Sequence, residues 1–333
     1  MTEPSDPTEP TIEKSGELRL ARLLRDAPAW TGVGVVLVGM VIGLALTQDL
    51  FLSYTNLNNI LRGMAIPLLM AVGSTFLLTT GMIDLSIGSL LALGTMILAG
   101  FLNLGLPGWL AVLGTMVACA LLGGGLNGVL IAKAKLSFFV VTLGTLAFFR
   151  SAAQIPTKGL SVQLPENGEV VEWLGDGRVG FLSVPVVMSL GIVGLAIVVM
   201  RSTTFGRAVF AVGGNENAAR LAGIKVERGR IGVFALNGLL VGLAAVVFAG
   251  RIRSASPLIG AGIELEVIAG VLLGGTSFLG GAGSMLGTLI GVLFIAVLQN
   301  GLNLLGVQAL WQGLVTGAVL ILAVWVDRVR RPT

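Results

Sequence analysis

Between Val267 and Val326 the chain runs for 60 residues without one Asp, Glu, Lys or Arg. A helix crosses a bilayer with roughly 20 apolar residues, so this run is several spans joined by turns rather than one core helix. A second run, from Leu85 to Ala132, is uncharged for 48 residues. Only 11% of the 333 residues are charged and the mean hydropathy is +0.95, more than any soluble core needs. The chain reads as an all-α polytopic membrane protein. Its 49 glycines and 6% aromatics point to helices packed closely through small residues. With no His and a single Cys, Cys119, there is no disulfide framework and no Cys/His metal set, which removes zinc and redox chemistry. The net charge of +4 is dispersed over loops, which fits membrane orientation and not nucleic-acid binding.

Met1 to Ala29 reads as a disordered cytoplasmic tail rather than a signal peptide. Trp30 to Thr47 is a first span of 18 uncharged residues, about 27 Å of helix. Gly63 to Ile83 is a second, interrupted by Asp84. The run after it divides at Gly105-Leu106-Pro107-Gly108 into a third and a fourth. Lys133 and Lys135 mark a tight loop before a fifth span, Ser137 to Gln154. Residues 156–181 are polar, hold Glu166, Glu169, Glu172 and Asp176, and are expected outside. Leu182 to Met200 and Ile231 to Gly250 are the sixth and seventh spans. An outer segment with Arg251, Arg253, Glu264 and Glu266 follows, and glycine breaks at 274–275, 280–283 and 306 divide the rest into a short eighth and full ninth and tenth helices. Residues 327–333 form a basic cytoplasmic tail. About ten helices result, and an eight-helix arrangement that omits 138–154 and 267–280 as full spans stays open. With both ends inside, Lys and Arg number 15 inside against six outside, which the positive-inside rule favours.

The most polar stretch within this apolar frame is 201–230. Gly213-Gly214 breaks the chain, Asn215 caps a short helix, Glu216 suits its positive start, and Gly223 suits its C-terminal stop. Arg220 and Leu221 lie in that helix, and Ala219 is expected to face a groove on a partner. The segment is either a docking element or an interfacial helix resting on lipid headgroups.

A second tract, Gly81-Met82-Ile83-Asp84-Leu85-Ser86-Ile87-Gly88-Ser89, places a carboxylate where a helix should begin. Asp84 either caps that helix or contacts solute, and Ser86 and Ser89 either line a gate or satisfy backbone carbonyls. Asn127, Thr145, Asn237 and Asn300, with Gln299 and Asn303, are uncharged polar residues within spans. They suit a route for a neutral polyhydroxylated solute, or else act as interhelical glue. No G-x-x-x-x-G-K-[ST] occurs, so nucleotide phosphates have no Walker loop here. An ion-coupled carrier would need more buried ionisable groups, and an intramembrane enzyme would need a paired acid and base.

The tracts GMIDLSIGS (81–89), LNGVLIAKAKLSFFVVTLGTLAFFR (126–150), FGRAVFAVGGNENAARLAGI (205–224) and GVLLGGTSFLGGAGSMLGTLIGV (270–292) resemble, in that order, the permease subunits of ribose/xylose-type sugar ABC importers. The resemblance covers about residues 30–326 and departs at Met82, where a second glycine is usual, and at Leu136-Ser137-Phe138, where prolines are common. It implies a ten-helix permease of the inner membrane that pairs with a second permease copy, cytoplasmic ATPase subunits and a periplasmic-type sugar-binding protein. ATP and Mg would be bound by the partner subunit, with no cofactor and no catalytic residue on this chain. The loop matching Gly213 to Ile224 would seat on the ATPase. Autoinducer-2-like, nucleoside and branched-chain amino acid cargoes belong to the same superfamily.

Overall fold

The computed structural model describes residue 28 and residues 30–330. The described residues are mostly helical, with α1 Thr31–Thr47, α2 Tyr54–Thr79, α3 Ile87–Asn103, α4 Gly108–Ala132 and α5 Phe138–Gln154 in the first half. A connecting segment follows: β1 Val162–Gln163, the short helix α6 Glu169–Asp176, and the hairpin of β2 Arg178–Val179 with β3 Leu182–Ser183. Then come α7 Val184–Ser202, α8 Thr204–Gly214, α9 Glu216–Leu221, α10 Val226–Ile252, β4 Ser254–Ala255, α11 Ile263–Leu273, α12 Met285–Leu304 and α13 Ala309–Arg330. Among the described residues, six helices are long and apolar enough to cross a membrane: α2, α4, α5 with its 3-10 extension, α7, α10 and α12.

Helices α2 and α10 are the most enclosed of these, and the rest are arranged around them. What lets them in is the scarcity of side chain at the crossings. An added Cβ at Gly73 of α2 would lie 2.8 Å from the Asn237 Cα of α10, and one at Gly242 of α10 would lie 2.9 Å from the Met116 Cα of α4. Opposite α10, residues Leu121–Gly128 of α4 widen into a π-helix whose Gly123, Gly124 and Gly128 pack on Phe234, Ala235 and Ile231. Such π segments recur at functional positions. Helices α11 and α12 meet along a second small-residue seam, with Gly270 against Gly291 and Gly274 against Gly287. The spacing of four on each side brings both glycines of a helix onto one face.

Several boundaries differ from the sequence reading. Helix α2 starts at Tyr54 instead of Gly63 and carries Arg62 inside it, because Asp176 of α6 neutralises that guanidinium. Helix α3 starts at Ile87, so Asp84 precedes it by a short non-helical stretch. Helix α11 starts at Ile263, so Glu264 and Glu266 lie in its first turn and not in a loop. Helix α10 begins at Val226, and the 201–230 loop is mostly helical. Helix α13 continues to Arg330 through residues assigned to a tail. The N-terminal tail, apart from Pro28, and residues 331–333 lie outside the described residues.

Two non-helical stretches, 80–86 and 256–262, lead into α3 and α11, and the second meets the first turn of α3. An added Cβ at Gly88 would collide with the Gly260 carbonyl oxygen, and one at Gly260 with that of Gly88. Only glycine permits main chains to approach so closely, and Gly260 also has a φ of +75°. Arg150 of α5 fixes the second stretch by donating to the carbonyls of Pro257 at 3.1 Å and Ile259 at 2.5 Å.

Candidate functional site

The first stretch is held by a buried polar knot. Asp84 is 3% exposed, and its Oδ1 accepts the Ser86 backbone N–H at 2.9 Å and the Ser86 hydroxyl at 2.5 Å. Its Oδ2 accepts the Asn237 amide from α10 at 3.2 Å. Asn127, in the π segment of α4, donates to Ser86 Oγ at 3.0 Å. Ser89 extends the chain by donating to the Ser86 carbonyl at 2.8 Å. Three separate parts of the sequence thus meet in one knot: Ser86 and Asn237 donate to the carboxylate itself, and Asn127 supports it through Ser86, which offsets the cost of burying a charge. The Oδ1 atoms of Asn127 and Asn237 have no protein partner. The acid supports the start of α3 through the N–H of its N-cap residue, Ser86, and does not cap the first helical turn directly.

The other two pathway residues lie apart from this knot. Thr145 returns its hydroxyl to its own helix, at 3.0 Å from the Val141 carbonyl. Asn300 of α12 exchanges two amide hydrogen bonds with Asn56 of α2, at 2.7 and 3.1 Å. Glu266 of α11 and Gln299 of α12 line a cavity of about 400 Å³ beside that pair. The sequence reading omitted Glu266 from the site because it placed the residue in an outer loop.

The second constellation is the bent segment 203–230. Thr203 caps α8 by accepting the Gly206 N–H at 3.1 Å, and Asn215 caps α9 by accepting the Ala218 N–H at 3.0 Å. Gly223 ends α9 with a φ of +81°. Gly213 and Gly214 do not break the chain: both complete α8, and the bend falls on Asn215, which is extended with φ −158°. Gly213 is small for another reason, since a Cβ there would overlap the Thr79 carbonyl at the end of α2 and come 2.6 Å from the Gly281 amide.

Ala219 corrects a second expectation. It is 3% exposed and turned inward onto Val212 and Val226, the base of the bend. The residue that faces away is Leu221, 91% exposed. The bend is braced by Glu216, which accepts Arg220 at 2.8 Å and Arg230 at 2.5 Å, while Arg220 also pairs with Glu227. The Arg220 hydrogen bond and then the Arg230 charge hold the Glu216 carboxyl below its ordinary range. Between this bend, Met82 and the α4–α5 turn lies a cavity of about 470 Å³ that Lys135, Phe138 and Glu216 line.

The family described as branched-chain amino acid transport system / permease component matches residues 56–324. The chain is 44% identical to the ribose import permease protein RbsC of Bacillus subtilis over 87% of this chain and 89% of that protein. It is 36% identical to the D-allose transport system permease protein AlsC of Escherichia coli, over 85% of this chain and 86% of that one. With the L-arabinose ABC transporter permease protein AraH of Azospirillum brasilense it shares 36% identity, over 90% and 88%. No solved structure matches the chain. A match that takes in both polar constellations, on a bundle of apolar helices, places this chain in the branched-chain amino acid transport system / permease component family.

Proposed function

We propose that this chain is the membrane permease of an ABC importer for a monosaccharide. Ten segments cross the inner membrane, α1 to α5, α7 and α10 to α13, the short α11 making its crossing together with the non-helical chain beside it; both termini and 203–230 are cytoplasmic, and 156–181 is outside. The cargo reading draws on the ribose, allose and arabinose permeases to which the chain is similar. ATP and Mg sit on partner ATPase subunits, a binding protein delivers the sugar, and a second permease copy completes the route.

The observation that carries the reading is Leu221, an apolar side chain almost wholly exposed on a braced bend whose inner side is packed. An exposed apolar knob on a rigid support suits insertion into a protein groove. Behind it runs a short main-chain route: Gly213 on Thr79 and Gly281, Gly81 on the Leu279 carbonyl, and then the stretch that Asp84 anchors. A push on the bend would therefore reach the start of α3 through backbone contacts, which yield less than side chains do.

The test is uptake into proteoliposomes holding this chain with the ATPase and binding protein of the same gene cluster. Uptake of labelled ribose, arabinose or allose that requires ATP and loaded binding protein supports the reading. Uptake driven by a proton or sodium gradient without ATP would refute it, and ATP-driven uptake of leucine alone would move the cargo to amino acids.

A further inference from the structure

Glu266 and Gln299 separate two cavities, about 400 Å³ between α2, α11 and α12 and about 350 Å³ between α11, α12 and α13. Both volumes lie in the range of about 300–1,000 Å³ found for small-molecule sites. On the first side Asn59 and Asn303 add amides, and on the second Gln312 and Thr316 add an amide and a hydroxyl. The wall is preorganised: the Asn56–Asn300 amides lock α2 to α12, and Gln312 donates to Asn303 at 2.7 Å, tying α13 to α12. Among the described residues, Glu266 is the one charged residue lining either cavity.

We propose that Glu266 and Gln299, with the amides and hydroxyl on either side, form a weak transit subsite for a neutral monosaccharide on the permease itself. The proposal deepens the importer reading and rests on it. A carboxylate accepts two neighbouring hydroxyl protons at once, and an amide donates and accepts together, which matches a sugar, each hydroxyl of which does both. A zwitterionic amino acid fits the same lining poorly, because Glu266 could pair with its ammonium but the lining offers no cation for its carboxylate, which would be desolvated unpaired. The site therefore separates polyols from the amino acids that the family's description names. Hydrogen bonds without a deep apolar pocket keep it weak, as passage requires.

The experiment uses Thr316→Cys in membrane vesicles, with wild type as blank, since the native Cys119 is fully buried. A small polar thiol reagent is applied with and without D-ribose or L-arabinose at high concentration, and with L-leucine. The proposal expects sugar to slow labelling several-fold and leucine to leave it unchanged, with the protection lost in Thr316→Cys combined with Glu266→Gln. Gln312→Cys, on the same wall, serves if Thr316→Cys does not reach the membrane. A second arm measures uptake by the complete importer carrying Glu266→Gln alone, expected to fall about tenfold or more while binding-protein-stimulated ATP hydrolysis persists. Protection by leucine, or no protection by either sugar at both cysteines, would overturn the subsite. Normal ATP-driven sugar uptake by wild type in that case would leave the importer reading standing, whereas its absence would remove that reading as well.

Discussion

Asp84 shows how much a single buried carboxylate can organise. Replacing it with Ala leaves the Ser86 N–H, the Ser86 hydroxyl and the Asn237 amide without an acceptor, and each orphaned donor costs about 1–3 kcal/mol. Asp84→Asn is milder, because one amide oxygen still serves Ser86 and Asn237 can turn its unpartnered Oδ1 towards the new amide. The expected outcome is near-normal membrane abundance and detergent melting for Asp84→Asn, and a clear drop in both for Asp84→Ala. Equal abundance and melting of the two would show that the carboxylate anchors nothing. Glu216 gives a pH dependence whose sign follows from its partners. Held below its ordinary value of 4.5 by Arg220 and Arg230, it contributes its bracing fully above that pH and loses it as pH falls through its lower folded value. Protease cleavage within 203–230 in inside-out vesicles should therefore be flat around neutrality and rise only in acid. Glu216→Gln should be cleaved more readily at neutral pH and lose most of the acid dependence. A rise beginning near neutrality would contradict the assignment.

At the scale of the element, the bend α8–α9 divides its residues between support and contact. Ala219→Glu places a charge among Val212, Val226 and Ile224, a loss of several kcal/mol that falls on the bend itself. Leu221→Glu introduces the same charge into water, where the fold hardly feels it. The two variants should part company: Ala219→Glu loosens the segment to protease with or without partners, while Leu221→Glu keeps wild-type protease resistance and loses ATPase co-purification. If Leu221→Glu co-purifies normally and retains stimulated hydrolysis, the knob is not the contact. The π segment of α4 follows the same logic of spacing, since Gly124 and Gly128 must stay small for Asn127 to reach Ser86.

At the scale of the whole molecule, two helices, α3 and α11, are each preceded by a non-helical stretch. The first turn of α3, at Gly88, meets the stretch that leads into α11, at Gly260, and the stretches before the two helices are each pinned by a polar residue on another helix, Asn237 for the first and Arg150 for the second. With both termini and 203–230 proposed as cytoplasmic, the two stretches enter the bilayer from opposite sides, so the topology is itself a prediction. A cysteine at Leu160, which is exposed in the 156–181 segment, should react with an impermeant reagent in intact cells. One at Asn217, in α9, should react only after permeabilisation. The reverse pattern would invert the molecule.

The amino-acid sequence by itself determined what depends on neighbours in the chain. Uncharged run length gave the membrane class and brought α1 and α5 within a residue of their observed bounds. Cap chemistry gave Asn215 and Gly223, because a cap bonds within three or four residues. What the tertiary structure decided was facing. The helix that holds Ala219 and Leu221 has only six residues, too few for a period to mark its packed face, so the inward turn of Ala219 and the exposure of Leu221 were not legible. Asp84 was visible as an isolated charge, but its partner Asn237 lies 153 residues away. Arg62 looked like the end of a span until Asp176 was seen to neutralise it, and Glu266 looked like loop until α11 carried it beside Gln299. In each case the deciding contact crosses between helices, and a contact between helices is fixed by packing and not by local sequence.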